Sequence, residues 1–273
     1  MHIDLHTHTC ISDGQLAPAE LLDHALVAGV RTISITDHDT LGAYTRISVD
    51  AFPGLTVIPG VELSTHWGNT GVHVVGLNFG LDDDAIVNAL AVQQLAREER
   101  AQRIAERLIH LGFDDPMPRV REIAGDGQIG RPHFAQVLVE TGKISSTAQA
   151  FKKLLGAGKP CDIRIGTSTL SEVIDWVRAA GGTTVLAHPA KYGLTHTKLL
   201  SLVRAFREAG GDALEVVSGQ QPSTLTAELA ALCQSEHLLA SCGSDFHVPG
   251  QSWSALGNFP ALPDNCTPVW DRW

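Results

Sequence analysis

The chain has 273 residues, enough to bury the core of one large α/β domain without disulfide or metal staples. Twenty basic residues against thirty acidic ones leave a formal charge of −10, which opposes broad attraction to a polyanion, so any phosphate must be met locally. Five cysteines without a C-x-x-C pair argue against a disulfide framework or a thiolate zinc site. No run approaches the roughly 20 apolar residues of a membrane span, and MHIDLHTHTC lacks a signal-peptide pattern, so a cytoplasmic protein with no membrane contact is expected.

Ile3-Asp4-Leu5 opens a strand running into His6-Thr7-His8, and Pro18 to Val27 reads as a helix with proline in its first turn. Thr32 to Ile35 is a second strand, closing on Thr36-Asp37-His38-Asp39, and Thr56 to Pro59 a third, closing on Gly60-Val61-Glu62. Val72 to Val75 carries His73 within it. Thr183 to Leu186 leads to Ala187-His188-Pro189, Leu214 to Val217 to Ser218-Gly219, and Leu239 to Ser241 to Gly243-Ser244-Asp245-Phe246-His247. Helical segments near 169–180, 197–209 and 224–236 separate these later strands. Seven strands alternating with helices predict a parallel α/β barrel or open sheet. From about Asp82 to Lys159 the strand pattern stops and helical periodicity takes over, so a helical insertion at about 82–160 is expected within one domain spanning 1–273. The Pro- and Trp-rich tail after Gly250 is expected to wrap the barrel irregularly.

Nine side chains of metal-binding type lie at or just beyond strand ends: His6, His8, Asp13, His38, Glu62, His73, His188, Asp245 and His247. His6 and His8 are two apart, which in an extended strand puts both on one face. An isolated H-x-H is as readily a pair of hydrogen-bonded core histidines. Its company changes the reading: Asp245-x-His247 repeats the alternate spacing, and in Thr-Asp-His-Asp the flanking carboxylates could orient the His38 imidazole. Nine candidates exceed the about four to six positions of one ion, pointing to two or three ions bridged by a carboxylate, for which Glu62 is the obvious choice. Nitrogen and oxygen donors without thiolate suit manganese, zinc or iron.

Taken in order, H-x-H-x4-D-G, T-D-H-D, G-x-E, H-x-x-G, A-H-P and G-S-D-x-H resemble the PHP (polymerase and histidinol phosphatase) family over almost the whole chain. The likeness is greatest to its nucleotide-directed bacterial members, the 3′,5′-nucleotide bisphosphate phosphatases and related 5′-to-3′ exoribonucleases. It implies an α/β fold, a distorted (β/α)7 barrel with three metals, typically manganese. One would lie on His6, His8, Glu62 and Asp245, a second on Asp13, His38 and His247, and a third on Glu62, His73 and His188. Many members carry histidine where this chain has Asp13, but the bisphosphatase branch shares the aspartate.

In the insertion, Leu90, Arg97, Ile104 and Leu111 recur at steps of seven, so Arg97 projects from the apolar stripe of its own helix. A guanidinium there wants an anion. Arg97, and Arg100 at the stripe's edge, are therefore read as contacts for substrate phosphate, ahead of packing alone. Arg103 and Arg107 read as a solvated face. Arg131-Pro132-His133-Phe134 starts another helix, where a guanidinium and backbone N–H groups favour phosphate; a plain helix start with a surface arginine fits equally, and the resemblance tips the reading toward function. Lys159 in Gly-Lys-Pro is a further phosphate contact or a solvated loop residue, and no phosphate-cradling G-x4-G-K-[ST] is present.

The expected chemistry is metal-assisted hydrolysis of a nucleotide phosphate ester, with Asp245 holding the nucleophile and His133 protonating the leaving oxygen. Arg97, Arg100, Arg131 and Lys159 would position a second phosphate, and Asp13 and His38 would face the substrate as well as metal. The expected partners are a small phosphorylated nucleotide or short RNA, with no stable protein partner. The competing readings are a phosphatase for a small monoester such as histidinol phosphate, a C–N hydrolase, and a non-catalytic nucleic-acid-binding module.

Overall fold

Runs such as Thr32–Ile35 and Thr183–Leu186, rich in β-branched side chains, form strands because those side chains pack on a pleated surface and lose rotamer freedom in a helix. A computed structural model describes residues 2–163 and 168–273. Its strands are β1 (Ile3–Thr7), β2 (Thr32–Ile35), β3 (Thr56–Trp67), β4 (Thr70–Leu77), β5 (Thr183–Leu186), β6 (Ala213–Ser218) and β7 (Leu239–Gly243), in one sheet in that order. Strands β1 to β3 pair in parallel, as do β5 to β7. At the two edges the His8 N–H donates to Phe246 O and the Asp245 N–H to His6 O, each at 2.9 Å, so the sheet nearly closes into a barrel.

The middle of the sheet departs from the all-parallel expectation. Strand β3 runs on past Pro59 to Trp67, turns at Gly68-Asn69 and returns antiparallel as β4, with Ser64 opposite His73; β4 is antiparallel to β5 as well. Two turn residues cannot make the crossover of roughly a dozen or more that a parallel neighbour needs. Gly68, at φ 55°, supplies the left-handed first turn position of a tight hairpin.

Leu5, Val75, Leu77, Val185 and Ala213 from four strands fill the ring, closed by Val269 of the tail. Outside, α1 (Pro18–Val27) packs on β2 through Leu21, Leu22 and Ala25 against Ile33 and Ile35. Helices α6 (Leu170–Ala179), α7 (His196–Glu208) and α8 (Ser223–Ser235) bury Val173, Phe206 and Leu229 in the largest apolar cluster. Each such side chain contributes about 1.5–3 kcal/mol. The tail is irregular apart from short turns at Ser252–Ser254 and Val269–Arg272.

Between β4 and β5 lie α2 (Asp84–His110), α3 (Met117–Ala124), α4 (Arg131–Glu140) and the turn α5 (Thr147–Ala150), which runs into π-helical Phe151–Leu155. Asp83 starts α2 by accepting from the Ala85 N–H at 2.9 Å. The far half of α2 joins α3 and α4 in a separate cluster around Ile104, Leu108, Val120 and Phe134. Its near half is fastened to the barrel: the Gln93 amide donates to Ser64 O, and Arg97 donates to Ser64 Oγ at 3.0 Å and to Asp39. Among the described residues, no helix is long and apolar enough to cross a membrane.

Candidate metal centre and its cleft

The C-terminal ends of the parallel strands form one rim, and the β3–β4 hairpin leans over it, so segments distant in sequence deliver side chains to one place. His6 and His8 come from the end of β1, His38 from beyond β2, His188 from beyond β5, and Asp245 and His247 from beyond β7; Glu62 and His73 come from the hairpin. Three rim residues that are not glycine hold left-handed backbone: Asp39 (φ 52°), His188 (φ 27°) and Asp245 (φ 52°). Such conformations persist where the surroundings over-determine them. Here each N–H is captured by the site, Asp39 by Glu62 O, Asp245 by His6 O and His188 by the Glu215 carboxylate.

Glu62 is the hub. Its Oε1 lies 2.8 Å from His73 Nδ1 and 2.8 Å from His188 Nε2, and its Oε2 lies 3.0 Å from His38 Nδ1, 3.2 Å from His8 Nε2 and 3.4 Å from His6 Nε2. Asp245 Oδ1 lies 3.4 Å from His8 Nε2 and 3.5 Å from His6 Nε2. Asp13 closes the other end, 3.3 Å from His247 Nε2 and 3.7 Å from His38 Nε2. All nine expected residues are therefore brought together.

Hydrogen bonds from His73 and His188 to Glu62 Oε1 account for only part of this geometry. His6 Nε2, both nitrogens of His8, His38 Nδ1, His188 Nδ1 and Glu62 Oε2 are buried with no hydrogen-bond partner among the described residues. Leaving such atoms unmet costs about 1–3 kcal/mol each, so a cluster of them, with ring centroids 4.2–5.6 Å apart, is the signature of lone pairs kept for a cation. His6 donates from Nδ1 to Glu215 Oε1 at 2.9 Å, and His247 from Nδ1 to the Asp245 carbonyl at 3.0 Å, which leaves each Nε2 lone pair facing inward. Among the described residues, four overlapping sets have donor atoms close enough to share an ion: His8, Asp13, His38 and His247; His6, Glu62 and His188; His6, His8 and Asp245; His38, Glu62 and His73. These regroup the sets the resemblance implied, bringing His8 to the Asp13 end and His6 beside His188.

Electrostatics agree. Burial opposes ionisation of Glu62, yet the imidazoles of His38, His73 and His6 hold it well below the usual carboxylate range. Burial likewise works against Asp245, and His6, His8, His247 and Lys191 hold it well below its ordinary value. Burial pushes His8 down, but the Asp245 and Glu62 carboxylates lift it to about 10, whereas burial prevails at His38 and takes it to about 3.

Beside the cluster lies a cavity of about 700 Å³, lined by His73, His188 and Lys191 on one side and by Arg100, Arg131 and Phe151 of the insertion on the other. Arg100 has no hydrogen bond or ion pair among the described residues. Burial, then the guanidiniums of Arg97 and Arg131, push it down to about 9 against the opposing pull of Asp39 and Asp162, so positive charge is crowded there. Arg131 donates to Leu155 O at 3.4 Å and lies 4.0 Å from Asp162. His133 accepts the Gly130 N–H on Nδ1 at 2.9 Å, so its neutral ring carries the proton on Nε2; burial keeps it neutral by lowering its affinity for a second proton.

Three expectations change on contact with the structure. Arg97 is buried and takes Asp39, not a ligand, as its anion, so it braces α2 against the barrel, while Arg100 and Arg131 face the cavity. Lys159 is exposed on its loop and does not line that cavity. The carboxylates flanking His38 orient no imidazole: Asp37 accepts from Thr9 and Ser12, fixing the loop that carries Asp13, and Asp39 accepts from the Ser64 N–H and Arg97. Sequence reasoning missed Glu215, whose signal was a lone acid within Ala-Leu-Glu-Val-Val. It also missed Lys191, paired with Asp245, and Tyr192, whose hydroxyl accepts the His73 N–H at 2.9 Å and donates to Ala187 O at 2.8 Å.

No protein-family model matches the chain. The 5′-3′ exoribonuclease Rnm of Escherichia coli is 42% identical over 274 residues, spanning 99% of this chain and 93% of that protein. The 3′,5′-nucleoside bisphosphate phosphatase of Chromobacterium violaceum is 34% identical over 274 residues, spanning 98% and 95%. A solved amidohydrolase from Chromobacterium violaceum, with bound sulfate and no metal, superimposes with a TM-score of 0.91 at 32% identity, covering 100% of this chain and 95% of that one. A protein from Bifidobacterium adolescentis described as a metal-dependent phosphoesterase gives 0.79 at 28% identity, covering 98% and 92%.

Proposed function

The chain belongs to the PHP family of metal-dependent phosphoesterases, and we propose that it removes the 3′-phosphate of 3′,5′-bisphosphate nucleotides and trims 5′-phosphorylated short RNA from its 5′ end. The observation that carries this reading is the buried Glu62 carboxylate with five imidazole nitrogens within 3.4 Å, beside a cavity walled by arginines.

The reading takes three divalent cations, manganese in preference to zinc or iron, held by His6, His8, Asp13, His38, Glu62, His73, His188, Asp245 and His247; a donor set of nitrogen and oxygen without thiolate suits these ions. Bound there, the cations would supply Lewis acidity for the phosphoryl oxygens and a solvent nucleophile active at neutral pH.

The chain's own residues do the rest. Glu215 and the Asp245 carbonyl hold His6 and His247 in the tautomers that turn Nε2 inward. Asp245, beside His6 and His8, is placed to orient the attacking water. His133, neutral with its proton on Nε2, donates to the leaving 3′-oxygen. Arg100 and Arg131 take the 5′-phosphate, which supplies binding energy away from the bond that breaks and so favours a bisphosphate over a simple ester. Arg97 acts one step back, by holding Asp39 and α2 in place. A cytoplasmic setting accords with the free thiols of Cys10, Cys161, Cys233 and Cys266.

The test compares hydrolysis of adenosine 3′,5′-bisphosphate, AMP, histidinol phosphate and a 5′-phosphorylated short RNA. The bisphosphate and the RNA are expected to be hydrolysed far faster than either simple monoester. Equal rates on AMP and the bisphosphate, or a preference for histidinol phosphate, would overturn the nucleotide reading, and no hydrolysis of any ester would overturn the phosphoesterase reading.

A further inference from the structure

A second, smaller cavity of about 250 Å³ abuts the centre on the side away from the insertion. It shares His188 and Lys191 with the large cavity and reaches Glu215, so the turn that follows β5 forms the partition between the two. Its other walls are Pro189, Pro222, Leu225 and Leu229, with Ser218 and Gln220 at the end of β6.

The two cavities differ in charge. The large one is lined by the guanidiniums of Arg100 and Arg131 with a single carboxylate, Asp162, among its described lining residues. The small one has no arginine among its described lining residues; Lys191 is paired with Asp245, and Glu215 already serves His6 and the His188 N–H. Apolar faces with neutral hydrogen-bonding groups suit a sugar or base, not a phosphate. The wall is also rigid. Gln221 accepts the Ser218 N–H at 3.2 Å and donates to Val216 O and Thr226 Oγ1 at 2.9 Å, and Gly219 sits at φ 62° with the Trp253 carbonyl 2.4 Å from where a Cβ would lie. Against this wall Ser218 Oγ is buried with no hydrogen-bond partner among the described residues.

We infer that this smaller cavity is the subsite for the nucleoside on the 3′ side of the scissile phosphate, the part of an RNA that a bisphosphate nucleotide lacks. The inference rests on the proposed function above. In both reactions water adds its oxygen to phosphorus, the P–O3′ bond breaks and a proton goes to O3′, with no change of oxidation state. In a 3′,5′-bisphosphate the remaining phosphoryl oxygens are free and leave as inorganic phosphate, so nothing need enter the second cavity. In RNA one of them is esterified to the next nucleoside, which must have somewhere to go. With the 5′-phosphate drawn to Arg100 and Arg131, the rest of the strand is left on the neutral side, and this asymmetry sets a 5′-to-3′ direction.

The experiment uses the full chain and two substrates, adenosine 3′,5′-bisphosphate and the 5′-phosphorylated dinucleotide pApA, with wild type, Leu225→Trp and Leu225→Ala. Leu225 is half-buried and is not one of the nine ligand residues, so a larger ring there takes up cavity space from the α8 side. Wild type is expected to act on both substrates. Leu225→Trp is expected to lose about tenfold or more in kcat/KM on pApA, the order of one base contact, with bisphosphate hydrolysis and metal content unchanged. Leu225→Ala, which removes wall without adding bulk, is expected to raise KM for pApA about fivefold and to spare the bisphosphate. Equal losses on both substrates, or no loss on pApA in either variant, would overturn the subsite. Wild type that hydrolyses the bisphosphate but not pApA would overturn it and leave the phosphatase reading standing, whereas wild type inert toward both would overturn the two together.

Discussion

Glu215→Gln tests how this chain prepares its histidines. One Glu215 oxygen accepts His6 Nδ1–H at 2.9 Å and the other accepts the His188 N–H. A glutamine offers only one acceptor oxygen to these two donors, and its NH2 meets whichever is left. A buried donor left unmet costs about 1–3 kcal/mol, so the unfolding free energy of the metal-free protein should fall by that order. If the amide turns its NH2 to His6, the ring flips tautomer and Nε2 becomes a donor, unable to bind a cation. Losing the partner of a ligand imidazole typically weakens metal affinity about 10–100-fold, which is about 1.4–2.7 kcal/mol. Competition with a chelator of known affinity reads this directly, and urea unfolding of chelated protein separates it from the folding term. Metal affinity within twofold of wild type would refute the reasoning, because it would mean that Glu215 does not set the state of His6.

Other expectations follow from the same geometry. Arg100→Met should raise KM for a 3′,5′-bisphosphate about 10–100-fold, the scale of one charge-assisted hydrogen bond, while AMP hydrolysis and metal content stay level; similar loss on both substrates would contradict the cleft assignment. Arg97→Met should instead act on stability, by about 3–5 kcal/mol in urea unfolding, since it strands the buried Asp39 carboxylate; a KM effect with normal stability would return Arg97 to the substrate. Glu62→Gln should lower metal content and activity together. In chelated protein, burial depresses His8 but Asp245 and Glu62 hold it up at about 10, above its unfolded value of about 6.5. Its contribution to stability is thus complete below about pH 6.5 and lost as pH rises through about 10, and cation binding at neutral pH must expel its proton. Calorimetry in buffers of different ionisation heat should record that release and tighter binding at higher pH, and binding without proton release would contradict it.

The candidate centre was legible because its residues announce themselves. Strands that end in His6-x-His8, His188-Pro189 and Asp245-x-His247 carry polar ligands where an ordinary strand would meet a turn, and parallel strands bring such ends to one rim. Glu215 hid inside a strand, since periodicity marks which face a residue takes but not which backbone N–H waits there. Arg97 was visible as a misfit on an apolar stripe, yet its anion, Asp39, lies 58 positions away and only the docking of α2 joins them. In the sequence the β3–β4 hairpin shows only as two short strands, because Gly60-Val61-Glu62 resembles a rim loop; ladder pairing carries β3 through it to Trp67.

The most direct measurement is anomalous diffraction from crystals of the protein equilibrated with manganese. At least two strong peaks should lie within coordination distance of the Glu62 carboxylate, flanked by imidazoles of His6, His8, His38, His73 and His188. A centre without peaks, or a single ion that does not touch Glu62, would contradict the account.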